Sequence, residues 1–163
     1  MNKNDFVFFW QGVFSQWYPS TFIIEGAKYN RAEQFMMAMK AATFQDDFCL
    51  RKILESNNPS EQKKYGRMVR NYNDEQWTKV RYNFVVQGNY AKFSQNQDLK
   101  KILLDTGNKI LVEASPYDKI WGIGMDEKNP DRFDISKWKG QNLLGKALME
   151  VRGRLRNDQE NKV

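Results

Sequence analysis

The chain has 163 residues, enough for one compact domain with a real core and no need of disulfide or metal staples. Aromatic residues make up 14%, which excludes a disordered chain, and the 28% of charged residues is ordinary for a soluble globular domain. The net charge of +6, spread along the chain, favours anionic partners such as phosphorylated metabolites or nucleic acid without requiring either. No histidine is present. That excludes Ser-His-Asp and Cys-His machinery and most zinc-site patterns, so acid–base chemistry falls to Asp, Glu, Lys, Tyr or water. The single cysteine, Cys49, stands among Phe48, Leu50 and Ile53 and reads as a small buried hydrophobe. The apolar run at 6–10 is far shorter than a signal peptide or membrane span, so a cytoplasmic location away from membranes is expected.

In chain order, Phe6-Val7-Phe8-Phe9-Trp10 reads as a strand bounded by Gly12, and 21–25 as a second strand ending at Gly26. Asn30, with Glu33 three residues on, predicts an N-cap and a variant capping box. The helix that follows spans 31–43, with Phe35, Met36, Met39 and Ala42 on one face. A short helix is expected over 46–55. Asn58-Pro59-Ser60-Glu61 is a further helix start, with proline at the first helical position. Asn73 is expected to cap a long helix reaching Phe93, and a helix over 97–105 stops at Gly107. Residues 110–114 read as a strand and 115–125 as turns. The last helix is expected over 141–156, with Leu144, Leu148, Val151 and Leu155 on one face and a frayed polar tail at 157–163. The sum is a helix-rich α+β single domain, 1–163, with a small β-sheet and its core in 6–155.

Four stretches carry residues suited to chemistry. Glu33 and Lys40 lie two turns apart on one helix face, about 10 Å along the axis, where they can flank a small polar ligand. The competing reading is a solvated face on which Glu33 completes the cap. The turn at 115–124 presents Asp118, with Gly122 and Gly124 letting backbone amides approach a ligand and Trp121 offering a ring face. It reads equally as a tight turn over a buried tryptophan. Lys139-Gly140-Gln141-Asn142, at the start of the last helix, offers amides and a favourable dipole to a phosphate, unless Asn142 is simply a cap. Trp77, Arg81, Phe84 and Gly88 form an i, i+4, i+7, i+11 stripe. It can stack on a base and hold a phosphate, or it can be core with the arginine stem packed along it.

Together these stretches resemble the NADAR (YbiA-like) family. Phe8-Phe9-Trp10 is similar to the family's opening aromatic strand, and Arg31-Ala32-Glu33-Gln34-Phe35 with Lys40 to its Glu-bearing helix. Trp77, Arg81 and Ala91-Lys92-Phe93 resemble its middle helix. The runs at 104–107, 111–118, 120–124 and 138–149 follow in order, and Val151-Arg152 closes the match. Two positions depart from the pattern. Phe14-Ser15-Gln16-Trp17 stands where the family usually has Ser-Asn-Phe, and Gln34 where it often has histidine. Either can alter what a pocket accepts.

The resemblance implies a YbiA-like fold and an N-glycosidase that needs no metal or cofactor. Family members act on ribosylamino-pyrimidine phosphates of riboflavin synthesis, and others remove ADP-ribose from guanine. The implied partners are therefore a small phosphorylated nucleoside-like substrate or ADP-ribosylated nucleic acid. Glu33, Lys40 and Asp118 are the expected catalytic residues. The carboxylates would stabilise positive charge at C1′ and handle a water. Lys40 would donate a proton to the leaving nitrogen or, as a neutral amine, attack C1′. Trp10, Trp77 and Trp121 are expected to stack on the base or ribose, Arg81, Gly140, Gln141 and Asn142 to hold the phosphate, and Phe9, Gly122 and Gly124 to contribute to substrate binding. A non-catalytic nucleotide- or ADP-ribose-binding module is the alternative of another class.

Overall fold

A computed structural model describes residues 2–161. Along the chain run β1 (Phe6–Phe9), β2 (Phe22–Ile24), β3 (Ala27–Tyr29), α1 (Ala32–Thr43), α2 (Asp47–Glu55), α3 (Pro59–Arg67), α4 (Asp74–Gln95), α5 (Gln97–Leu104), β4 (Ile110–Glu113) and α6 (Leu143–Glu160). The class is α+β, with six helices and two small two-stranded sheets among the described residues. The chain forms two compact units, one of residues 16–96 and one of residues up to 15 together with 97 onward.

In the 16–96 unit, α1 packs against α2, α3 and α4. Phe35 on α1 meets Tyr29 edge-on at 5.0 Å and Phe22 at 6.4 Å. Gly88 on α4 faces it so closely that a Cβ there would lie 2.9 Å from Phe35 Cδ2. Trp77 is buried and stacks on Phe84 at 5.9 Å, so much of the 77/81/84/88 stripe is core. β2 and β3 form an antiparallel hairpin about Glu25 and Gly26, both at positive φ (51° and 82°), as a tight two-residue turn requires. β3 is absent from the sequence reading because its three residues, Ala-Lys-Tyr, bury only the tyrosine.

Asn58 and Asn73 cap α3 and α4 as expected, each accepting backbone N–H groups from the following turn. The start of α1 differs. Arg31 holds the N-cap position without a side-chain bond to the helix amides, and the Glu33 N–H donates instead to the Gln16 carbonyl at 2.9 Å. Asn30 turns its amide to the Ser56 carbonyl (2.9 Å). Gln34 is buried, donating to the carbonyls of Ile53, Leu54 and Ser56 and accepting from the Asn30 N–H. The residue that departs from the family pattern thus joins α1 to the end of α2. Cys49 is buried, and burial pushes its thiol up to about 11, so it stays an unreactive thiol.

In the other unit, β1 and β4 pair in parallel, Phe6 opposite Ile110 and Phe9 opposite Glu113. Phe6, Val112, Ile123 and Met125 form a buried cluster edged by Phe8, Phe133 and Trp138. α6 packs against β4, burying Leu144, Leu148, Val151 and Leu155 as the periodicity predicts. It starts at Leu143, because Asn142 takes a left-handed conformation (φ 53°), and it runs to Glu160, so 157–160 are helical rather than frayed. No helix among the described residues is long and apolar enough to cross a membrane.

Candidate active site

The 16–96 unit carries Glu33 and Lys40. Glu33 lies in the first turn of α1 and is only 7% exposed, which removes the solvated-face reading for it. Burying a carboxylate is costly unless it is paired or hydrogen-bonded, and the first turn of a helix is a place that favours its negative charge. Lys40, in the last turn of α1, is half-buried. Its ammonium is held below the ordinary lysine range, chiefly by burial and also by Arg67, with Glu33 and Asp74 opposing the shift. Its Nζ lies 4.6 Å from the centre of the Tyr72 ring. Trp77 is placed in the core by its stacking on Phe84, and Arg81, one turn on, is partly exposed.

Gln16, the second departure from the family pattern, supplies more than the carbonyl at the head of α1. Its side-chain oxygen accepts from Asn89 Nδ2 at 2.8 Å, on α4. Three residues on, Lys92 is fully buried, with Nζ 5.7 Å from the Tyr18 ring and 5.0 Å from the Phe93 ring. Burial pushes its ammonium down to about 7. Sequence reasoning missed Lys92 as a functional candidate. The available signal was a lysine set between Ala91 and Phe93 on the apolar side of a helix.

That burial has a testable consequence for stability. The unfolded chain holds the Lys92 proton up to about 10.5, whereas the folded chain releases it near 7. Between those values unfolding takes up a proton, so this lysine makes stability rise with pH across that window. Below pH 7 both states are protonated and the folded state carries the full cost of the buried cation. Urea titrations from pH 6 to 10 are expected to show a rise of a few kcal/mol for the parent chain. Lys92→Met should lack most of that rise. Parallel curves for the two proteins would mean that Lys92 titrates normally.

The second unit carries the other expected residues. Ser115 Oγ accepts from the N–H groups of Tyr117 and Asp118, and Asp118 Oδ1 accepts from those of Ile120 (2.9 Å) and Trp121 (2.8 Å). One carboxylate oxygen therefore builds the turn that presents the side chain. Next to Asp118, Tyr117 is 83% exposed and meets the exposed Trp10 at 6.0 Å, forming an open aromatic pair. Tyr117 was not singled out from the sequence, where a tyrosine after Ser-Pro looks like an ordinary turn residue. Phe9 is buried against Phe14 at 5.5 Å, and its carbonyl accepts from Ala114.

The start of α6 is not the open anion cradle the sequence suggested. The N–H groups of Gln141, Asn142, Leu143 and Leu144 donate to the carbonyls of Lys119, Gly122, Ile120 and Trp121. The Asn142 side chain neither caps the helix nor points outward. Its Oδ1 accepts from Glu113 N–H and its Nδ2 donates to the Leu111 carbonyl, both at 3.0 Å. Gly122 and Gly140 are small because backbone crowds them: a Cβ on Gly140 would meet Lys119 Cα at 2.8 Å, and one on Gly122 would meet the Asp118 carbonyl at 2.9 Å. Gly124 takes a positive φ of 71°. Asn142 and the glycines thus lock the 119–124 turn to the head of α6.

The NADAR domain matches residues 8–156, running through both units. The chain belongs to the NADAR family. An N-glycosidase of Acanthamoeba polyphaga mimivirus is 50% identical over 145 residues, covering 86% of this chain and 85% of that protein. An N-glycosidase of Nostoc punctiforme is 30% identical, covering 91% and 89%. The NMR structure of Escherichia coli YbiA matches with a TM-score of 0.79 at 25% identity, over 98% of this chain and 89% of that one. Proteins named for riboflavin biosynthesis in Arabidopsis thaliana and Vibrio vulnificus are also similar, at 33% and 29% identity, with 16% and 35% of their lengths covered. These relatives place the NADAR chain among hydrolases of N-glycosyl bonds.

Proposed function

We propose that this NADAR chain hydrolyses the ribose C1′–N bond of a phosphorylated ribosylamino-pyrimidine, an intermediate of riboflavin synthesis, acting in the cytoplasm as one domain without metal or cofactor. The observation that carries the reading is the buried carboxyl of Glu33 at the head of α1. The riboflavin-biosynthesis names of two relatives support the substrate class, and the unbroken family match supports a single domain.

Breaking the bond builds positive charge on C1′ and the ring oxygen. Glu33 and Asp118 are assigned to stabilising that charge and to holding the attacking water and taking its proton. Lys40 is assigned to the leaving nitrogen or to C1′. Trp10, with Tyr117 beside it, is assigned to stacking on the base. Arg81, partly exposed, is the remaining side-chain candidate for the phosphate.

Incubation with a ribosylamino-pyrimidine 5′-phosphate, followed by chromatography of the free base, tests the reading. Turnover that is lost in both Glu33→Gln and Asp118→Asn establishes it. Stable binding without release would instead favour a binding module.

The net charge of +6 favours a second substrate, guanine-ADP-ribosylated DNA or RNA. Release of ADP-ribose from such a polyanion, falling steeply as salt rises from 50 to 200 mM, would select it. Release insensitive to salt would count against it.

A further inference from the structure

Beneath the Lys40 amine lies a tyrosine that no sequence motif marks. Tyr72 stands in the short connection between α3 and α4, and the surrounding chain fixes it there. Asp46 anchors the connection: its carboxylate accepts from the Arg70 N–H at 2.8 Å and from the Cys49 N–H at 3.0 Å. These bonds hold the Asp46 carboxyl down at about 2, so the anchor stays ionised at working pH. Asn71 takes a left-handed conformation (φ 60°), which asparagine adopts more readily than other L-residues and which turns the chain into Tyr72. The Tyr72 hydroxyl then donates to Asp74 Oδ1 at 2.7 Å, and the ring packs edge-on against Phe44 at 5.4 Å. Lys40 Nζ sits over this ring, 4.6 Å from its centre.

We propose that Tyr72 is a positioning residue for Lys40: its ring face holds Nζ at the end of α1 and favours the ammonium, so Lys40 acts as proton donor to the leaving nitrogen and not as a nucleophile. The inference rests on the assignment of Lys40 given above and decides between its two chemical roles. An aromatic face attracts a cation through its quadrupole and has no such attraction for a neutral amine. The last turn of α1 adds a second preference for positive charge. Burial, with Arg67 on α3, acts against it and sets the net downward direction, while Glu33 on α1 and Asp74 at the head of α4 act with the ring. Attack on C1′ would require the amine to leave the ring and lose its proton. Proton donation instead starts from the ammonium and gives the proton up only as the C1′–N bond breaks. In that step the Nζ proton passes to the leaving nitrogen, which keeps the electron pair of the broken C1′–N bond. Water adds to C1′ and gives its proton to a carboxylate, from which Lys40 is recharged.

The test reads Lys40 without any substrate. Protein carrying lysine labelled with ¹³C at Cε is titrated by NMR from pH 7 to 12, with the Lys40 signal assigned by its loss in Lys40→Arg. Tyr72→Leu is expected to lower the Lys40 midpoint by about one pH unit. Tyr72→Phe keeps the ring and should hold the midpoint. An unmoved midpoint in Tyr72→Leu, or an equal drop in Tyr72→Phe, overturns the proposal. Should the leucine variant fail to fold, Tyr72→Trp decides: a larger ring face holds or raises the midpoint, and a drop overturns the proposal. With an active substrate, the alkaline limb of kcat/KM should fall by the same amount in Tyr72→Leu, and a borohydride-trapped adduct on Lys40 would overturn the donor role. Failure of the substrate assignment would show as absent turnover while Tyr72→Leu still lowers the Lys40 midpoint, so the two failures are distinguishable.

Discussion

Glu33→Gln is expected to lower kcat for base release by about 10²–10³-fold, the usual loss when one preorganised electrostatic group is removed. Glutamine keeps the shape of the side chain and removes its negative charge. The contact that seats the head of α1, from the Glu33 N–H to the Gln16 carbonyl, is made by backbone and survives the change. The fold should therefore be kept. The loss should appear in kcat more than in KM, because the charge on the ribose develops only as the bond breaks. Chromatographic kinetics beside a thermal melt check both points. A kcat within tenfold of the parent, in a folded protein, would remove Glu33 from the chemistry.

Two glycines of α6 should respond to the same substitution in opposite ways. A Cβ on Gly145 would fall on the Leu111 carbonyl and lie 2.5 Å and 2.6 Å from the two amide atoms of Asn142. Those are the groups that join α6 to β4, and all of them sit on backbone or on a buried side chain with no room to withdraw. Gly145→Ala must therefore push the helix off the strand or break the Asn142 bonds. The expected cost is about 3 kcal/mol. For a chain of this size that lowers Tm by roughly 6–12 °C. Gly153, two turns along, has nothing within 4 Å of its would-be Cβ. There Gly153→Ala should stabilise by up to about 1 kcal/mol through helix propensity alone. Thermal melts of the two variants check the pair. Equal effects would mean that propensity, and not the approach of α6 to β4, governs both positions.

The elements that could be read from the residues are those whose hydrogen bonds close within a turn or whose apolar spacing is regular. Asn58 and Asn73 cap helices that begin within three residues of them, and the buried face of α6 repeats every three or four residues. Local chemistry settles such features wherever the rest of the chain goes. Glu33 and Lys40 could be placed on one helix for the same reason.

The misread features all have distant partners. Asn30 looks like a cap, yet the Glu33 amide in the first turn of α1 meets a carbonyl from residue 16, and Asn30 itself turns to residue 56. Asn142 looks like a cap or a phosphate ligand, yet its amide is held by β4, about thirty residues earlier. Gln34 looks like a pocket residue, yet three carbonyls at the end of α2 hold it. Burial likewise separates chemically identical side chains: each of the two amines lies over an aromatic ring, but Lys92 is fully buried and pushed down to about 7, while Lys40 keeps a partly open position. A polar side chain bonds to whichever unpaired group the packed chain brings within about 3 Å. Spacing along the sequence carries no record of such a neighbour when it lies tens of residues away.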